Sequence, residues 1–291
     1  MPNPSCQRDV PMSEQTSPYD RSPQTKPATR IRIPHLKQMK VEGRKWAMLT
    51  AYDMYSAAIF EDAGIPVLLV GDSASNNVYG NESTLSVTVD ELIPLVRAVN
   101  RSTQRALVIA DLPFGSYQAS PEQCLHTAVR FMKEAGAHAV KLEGGIELLP
   151  HIEKLTRSGI PVMAHIGFTP QMEHQLGGYR VQGRGEDAQR LIDSAKALEA
   201  AGAFAVLIEM VPGEVGAAIT DAISIPTVGI GAGNQCDAQV LVWQDMAGLR
   251  QGRLPRFVKQ YADLRSVLQT AARDFALDVE AGTFPGPEHT F

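Results

Sequence analysis

Eight times along the chain, a short apolar run ends in a polar or glycine-bearing turn, and helical stretches separate most of these runs. The runs are 46–53 (WAMLTAYD), 66–73 (PVLLVGDS), 106–114 (ALVIADLPF), 139–145 (AVKLEGG), 161–169 (PVMAHIGFT), 205–212 (AVLIEMVP), 226–233 (PTVGIGAG) and 240–245 (VLVWQD). Runs that are apolar at nearly every position suit parallel strands buried on both faces. The segments between them carry helix-boundary chemistry. Thr88 with Glu91 forms a capping-box pair at the head of 88–102, and Ser120-Pro121 opens 120–137 as N-cap and first helical residue. Segments 54–64, 120–137 and 186–203 close at or near Gly64, Gly136 and Gly202, the residue type that ends helices in a left-handed turn. Strand and helix alternating eight times within 291 residues predict an α/β fold, a (β/α)8 TIM barrel. A doubly wound open sheet is the competing architecture. It would place a glycine-rich phosphate turn after the first strand, and AYDMYS at 51–56 contains no glycine.

Residues 1–28 are rich in proline and small polar residues, with few large apolar groups to offset the entropy of ordering. They are predicted to form a disordered N-terminal extension, with Met12 an alternative start, and 29–291 to form the barrel catalytic domain. Twenty-seven basic against thirty-two acidic residues give a net charge of −5, which argues against a nucleic-acid partner. No apolar run reaches the roughly 18 residues of a spanning helix, and the N-terminus lacks a secretory pattern. No membrane partner is therefore expected. Cys6, Cys124 and Cys236 are far apart and form no CxxC pair, so neither a disulfide framework nor a thiolate zinc site is expected. A reducing cytoplasm is the expected compartment.

Barrel enzymes carry their chemistry at the C-terminal ends of the strands. Here those ends offer Asp53, Asp72 with Ser73, Asp111, Lys141 with Glu143, His165 and Glu209, then the GIGAG turn at 229–233. Carboxylates outnumber cations in that set, and burying them together is costly without an ion to neutralise them. All-oxygen ligands favour Mg²⁺ or Mn²⁺ over zinc. Each residue also has a plainer role open to it. Asp72 and Asp111 could form turns, His165 could be a satisfied core histidine, and Glu209 could be a structural ion-pair partner. Lys141 and Glu143 share one face of their strand by alternation. Glu209 lies between apolar neighbours, a setting suited to a general base. The glycine run lacks dinucleotide-fingerprint spacing and could hold an anion or let a substrate approach closely. The polar, glycine-rich segment 167–185 is expected to be a mobile loop, a lid or simply exposed.

Taken together, LTAYDMYSA (49–57), LLVGDSASNNVYG (68–80), ADLPFGSY (110–117), VKLEGG (140–145), AHIGFTPQ (164–171), GGYRVQGRG (177–185), EMVP (209–212), the glycine-run segment up to WQD (245) and the terminal PGPEHTF resemble the ketopantoate hydroxymethyltransferase family. The resemblance runs from about Arg30 to Phe291. It implies a barrel of the phosphoenolpyruvate/pyruvate-binding superfamily that assembles into a large homo-oligomer, often a decamer. It also implies one Mg²⁺ per subunit, with Asp72 and Asp111 as ligands and Glu143 completing the metal environment directly or through water. Ser73 and Lys141, beside Asp72 and Asp111, would contact a 2-oxo acid, His165 would line the pocket, and Glu209 would be the general base. The implied reaction transfers a hydroxymethyl group from 5,10-methylenetetrahydrofolate to 3-methyl-2-oxobutanoate, forming 2-dehydropantoate. One departure from the family pattern is Met172-Glu173-His174, where small polar residues are common. The alternatives are another metal-dependent 2-oxo-acid aldolase or lyase of the superfamily, or a non-catalytic barrel that binds a 2-oxo acid. The terminal helical pattern at about 261–281 is expected to close the barrel or pack on a neighbour.

Overall fold

The structure, a computed structural model, describes residues 29–291, so the expected disordered extension at 1–28 lies outside the described residues. Eight strands pair in sequence order and close into a parallel barrel: β1 Trp46–Thr50, β2 Val67–Val70, β3 Leu107–Asp111, β4 Ala139–Glu143, β5 Val162–Gly167, β6 Ala205–Glu209, β7 Thr227–Ile230 and β8 Ala238–Leu241. β8 pairs with β1 in the register Trp46↔Ala238 to Leu49↔Leu241, which completes the ring. The (β/α)8 architecture read from the sequence is therefore the observed one.

The expected helix boundaries hold closely. Thr88 caps Val89–Arg101 in a capping box with Glu91, and Ser120 caps Pro121–Arg130 by accepting from the Gln123 amide. The last turn of that segment, Phe131–Ala135, widens into a π-turn before Gly136. Gly64, Gly136 and Gly202 have φ of +88°, +75° and +99°, the left-handed geometry that favours glycine at these helix-to-strand turns. The eighth strand starts earlier than the apolar run 240–245 implied. Pairing with β1 fixes it at Ala238–Leu241, and Trp243–Met246 becomes a helical turn that packs Trp243 against Phe60, ring centroids 6.0 Å apart.

Two apolar layers follow from the two faces of each strand. Outward-facing side chains such as Leu68, Val108, Val140, Ala164 and Ile208 pack under the helices. Inward-facing ones, including Met48, Leu69, Ile109, Met163, Leu207, Val228 and Val240, fill the barrel. Helix Ile33–Val41 brings Leu36 and Met39 into this inner cluster beside Trp46 and seals the end where the strands begin. Helix Leu264–Glu280 stands apart: none of its residues is buried, so it does not wall the barrel. Among the described residues no helix is long and apolar enough to cross a membrane.

Candidate active site

The inward parity that places apolar side chains low in the barrel places ionisable ones at its mouth. Two residues on from Ile109 comes Asp111; from Ala139, Lys141 and then Glu143; from Met163, His165; from Leu207, Glu209. The register sets them side by side, with Asp111 paired to Lys141 and Glu143 to His165. One residue past β2 the inward position is Gly71. A Cβ there would lie 2.7 Å from Ser73 Oγ and 3.3 Å from Asp111 Oδ2, so glycine lets the chain turn and bring Asp72 in.

The result is a buried cluster in which Asp72, Asp111, Lys141, Glu143 and His165 are each no more than 4% exposed. Lys141 Nζ lies 2.9 Å from Asp111 Oδ1 and 3.3 Å from Glu143 Oε1. His165 Nδ1 lies 3.2 Å from Glu143 Oε1, and its Nε2 faces Glu209 Oε2 at 3.3 Å, off the alignment of a hydrogen bond. The Asp72 amide donates to Asp111 Oδ2 at 2.9 Å. Asp111 thus braces the backbone at Asp72, 39 residues away, and the Asp72 side chain caps nothing and accepts from Gln171 instead. Tyr52, itself buried, shares a 2.8 Å hydrogen bond with Ser73 Oγ.

The electrostatics follow from that packing. Burial would raise Glu143, but Lys141 and His165 outweigh it and hold the carboxyl at about 2. Burial and the Lys141 charge would lower His165, but Glu143 and the nearby Glu209 carboxylate outweigh them and lift it to about 9. Lys141 is likewise raised, its three carboxylate neighbours overcoming desolvation. Asp72 is pushed well above the usual carboxylate range by burial, then by Asp111 and Glu143. Burial also raises Asp111, and Lys141 offsets this only in part. Both aspartates therefore lack the positive charge that their ionised forms need.

That deficit fits a divalent cation held by oxygen. Asp111 Oδ1 is buried without a hydrogen bond and has only the Lys141 ammonium facing it. Both Glu143 oxygens are engaged, one by Lys141 and His165 and the other by the Gln171 amide. Among the described residues no group of three or more His, Cys, Asp or Glu side chains is arranged to hold a metal ion, so the protein's own share would be the two aspartates. The open share of a coordination sphere would fall to ligand and water oxygens, a common arrangement for Mg²⁺.

Two strand-end features have other work. Asp53 caps helix Met54–Asp62, accepting from the Tyr55 and Ser56 amides at 2.8 and 2.9 Å and from Ser56 Oγ at 2.6 Å. The GIGAG turn serves close packing: a Cβ at Gly231 would meet the Phe257 ring at 2.9 Å, and one at Gly233 would meet Gly213 Cα at 2.9 Å. The segment after β5 is folded rather than simply exposed. It contains the turns Pro170–Met172 and Glu173–Leu176, and Tyr179 stacks on buried Phe168 with centroids 4.7 Å apart.

Sequence reasoning missed Gln171, Tyr117 and Tyr52, all buried beside the cluster. Their partners are distant in sequence, 99 residues in the case of Gln171 and Asp72, so no local pattern signals them. It also missed Met210, which holds a φ of +49° directly after Glu209. A left-handed non-glycine residue is strained by about 1–3 kcal/mol. Here the strain accompanies the turn that ends β6, with the Met210 amide bonded to Ile230 O and its carbonyl accepting from the Gln182 amide, both at 2.9 Å.

Solved structures share this architecture at low identity. Phosphonopyruvate hydrolase, crystallised with oxalate and Mg²⁺, superposes with a TM-score of 0.57 at 15% identity, covering 88% of this chain and 92% of that one. A 2,3-dimethylmalate lyase of the PEP mutase/isocitrate lyase superfamily gives 0.53 at 16%, covering 87% and 89%. Sequence relatives are far nearer. A protein from Nocardioides sp. named 3-methyl-2-oxobutanoate hydroxymethyltransferase is 68% identical over 286 residues, 96% of this chain and 97% of its own. One of the same name from Saccharopolyspora erythraea is 63% identical over 281 residues, 97% and 95%. The ketopantoate hydroxymethyltransferase family profile matches residues 30–287 and so spans every strand and each ionisable residue of the mouth. With barrel, site and sequence in agreement, the chain belongs to the ketopantoate hydroxymethyltransferase family.

Proposed function

We propose that the barrel mouth transfers a hydroxymethyl group from 5,10-methylenetetrahydrofolate to 3-methyl-2-oxobutanoate, forming 2-dehydropantoate for pantothenate synthesis, and that the buried cluster carries the chemistry. The observation that carries the reading is the convergence of Asp72, Asp111, Lys141, Glu143 and His165 at one barrel end with Glu209 at its edge. Residues 29–291 act as one catalytic domain, and the lack of a spanning helix among the described residues accords with a cytoplasmic enzyme.

Asp72 and Asp111 would hold one Mg²⁺ per subunit, with Glu143 contributing through water. When bound, the ion would supply Lewis-acid polarisation of the keto acid. Ser73, oriented by Tyr52, and Lys141 bind the keto acid's oxygens. Glu209 removes the proton from C3, and His165 fixes the orientation of that carboxylate. Negative charge then grows on the keto oxygen, where the Lys141 ammonium is placed to stabilise it. The one-carbon unit is held on the folate by two C–N bonds, and both break: water adds its oxygen to that carbon as the two folate nitrogens leave. The C3 carbon bonds to the freed carbon at the formaldehyde level, the oxygen from water becomes the hydroxyl, and the three protons released by water and by C3 are taken up by the two nitrogens and that oxygen. The exposed stripe on helix Leu264–Glu280, which includes Leu268, Phe275 and Val279, supports a homo-oligomer in which a second copy covers it, up to a decamer.

Proton NMR of 3-methyl-2-oxobutanoate in D₂O tests the reading. The C3 proton signal should disappear with protein and Mg²⁺, and persist with EDTA or with Glu209→Gln. Equal exchange by Glu209→Gln would remove Glu209 from the role of base. Binding without exchange, with or without added folate, would favour a non-catalytic barrel.

A further inference from the structure

The side-chain amide of Gln171 is satisfied at both ends. Nε2 donates to Asp72 Oδ2 at 2.9 Å and to the Leu112 carbonyl at 3.0 Å. Oε1 accepts from Tyr117 Oη at 2.7 Å and from Gln118 Nε2 at 3.2 Å. The backbone amide of the same residue donates to Glu143 Oε2 at 3.0 Å. One residue from the segment after β5 thus grips carboxylates that stand at the ends of β2 and β4.

The direction of the amide is forced. Tyr117 Oη accepts the Glu143 N–H at 3.1 Å. Its single proton has two acceptors in reach, Glu143 O at 3.0 Å and Gln171 Oε1 at 2.7 Å, and the shorter contact takes it. The far end of the amide meets a carboxylate and a carbonyl, both acceptors, so only the NH₂ group can face them. Glutamate would present an acceptor to acceptors, and an apolar side chain would leave Asp72 Oδ2 without its donor. The demand is for an amide, in one orientation.

We propose that Gln171 is a positioning residue for cation binding. By occupying Asp72 Oδ2 it leaves Oδ1 as the oxygen offered to the ion and keeps the carboxylate from rotating. Tyr117 acts one step further out, by fixing the orientation of Gln171. The inference rests on the reading of Asp72 and Asp111 as cation ligands. Partners that orient a ligand in this way typically contribute about 10–100-fold to metal affinity.

The test is Mn²⁺ binding to metal-free protein, followed by loss of the free-ion EPR signal, for the unaltered chain, Asp72→Asn, Gln171→Met and Tyr117→Phe. Cooperative melting in EDTA identifies the variants that fold. Expected are tight binding by the unaltered chain, loss in Asp72→Asn, an affinity about 10–100-fold weaker in Gln171→Met, and a smaller weakening in Tyr117→Phe. A folded Gln171→Met that binds like the unaltered chain overturns the proposal. If that variant fails to fold, unchanged affinity in Tyr117→Phe overturns it. If the unaltered chain and Asp72→Asn bind alike, the cation reading itself is wrong and the proposal falls with it.

Discussion

Replacing Lys141 by methionine removes the ammonium that stands 2.9 Å from Asp111 and 3.3 Å from Glu143, while a side chain of similar length remains. In the intact cluster three carboxylates face Lys141 and His165, whose Nδ1 lies 3.2 Å from Glu143 and 3.1 Å from the ammonium. In the variant they face His165 alone. Breaking a buried ion pair by removing one partner costs about 3–5 kcal/mol, because the other charge stays behind uncompensated. At roughly 2–4 °C per kcal/mol for a domain of this size, the midpoint in EDTA at neutral pH should fall by about 6–20 °C. Two conditions should shrink that deficit. At the proposed cation site, Mg²⁺ would restore positive charge between Asp72 and Asp111. Acid does the same by protonation. Both aspartates have raised pKa values, so the penalty of their ionised forms is present above those values and relieved as pH falls through them. Melting curves of both proteins would be recorded near pH 8 in EDTA, near pH 8 with Mg²⁺, and near pH 5.5 in EDTA. A deficit below about 1 kcal/mol in the first condition, or an equal deficit in all three, would refute the charge argument.

Other expectations are independent of that one. Burial, aided by Arg30 and Arg32, lowers His138 to about 4, and its Nδ1 accepts from the Val108 amide. Its contribution is therefore present above pH 6.5 and lost as pH falls toward 4. The loss is about 2 kcal/mol after allowance for partial exposure, and His138→Asn, which keeps an acceptor without the titration, should flatten urea-denaturation midpoints across that window. Gly71→Ala would crowd Ser73 Oγ and Asp111 Oδ2; steady-state kinetics should show kcat/KM lower by about 100-fold, while the far-UV spectrum is retained. Phe275→Glu places a charge on the exposed terminal helix, where Phe275 is 57% exposed; sedimentation velocity should then show smaller assemblies than the unaltered chain forms, and unchanged assemblies would place the interface elsewhere.

The sequence carries its architecture in features that act locally. The first seven apolar runs, a capping box at Thr88 and glycines at 64, 136 and 202 each act within a few residues, and each appears where the sequence places it. The mouth was legible for a related reason. Once a residue is known to end an inward-facing ladder, alternation assigns Asp111, Lys141, Glu143, His165 and Glu209 to one space. Asp53 shows the limit of that argument. It ends the first apolar run like the others, yet lies beyond β1, where a helix begins, and its carboxylate is spent on the first turn. Gln171 and Tyr117 show the converse. Both close segments that carry the family resemblance, but their chemistry comes from partners on other loops, so alternation along a strand assigns neither of them a role. The eighth strand was misplaced by two residues because its position is set by hydrogen bonding to β1, which hydropathy does not encode.

Helix Ile33–Val41 closes the floor of the barrel with Leu36 and Met39. The inner apolar layers above it offer no chain of polar groups for a proton to follow. On the proposed reading, a proton taken up by Glu209 would then leave through the same opening that admits keto acid and folate. With both seated it would stay as a lodger until one of them departs. Chemistry and traffic would share a single doorway, and the order in which molecules leave would decide whether an abstracted proton goes to solvent or back to the carbon it came from.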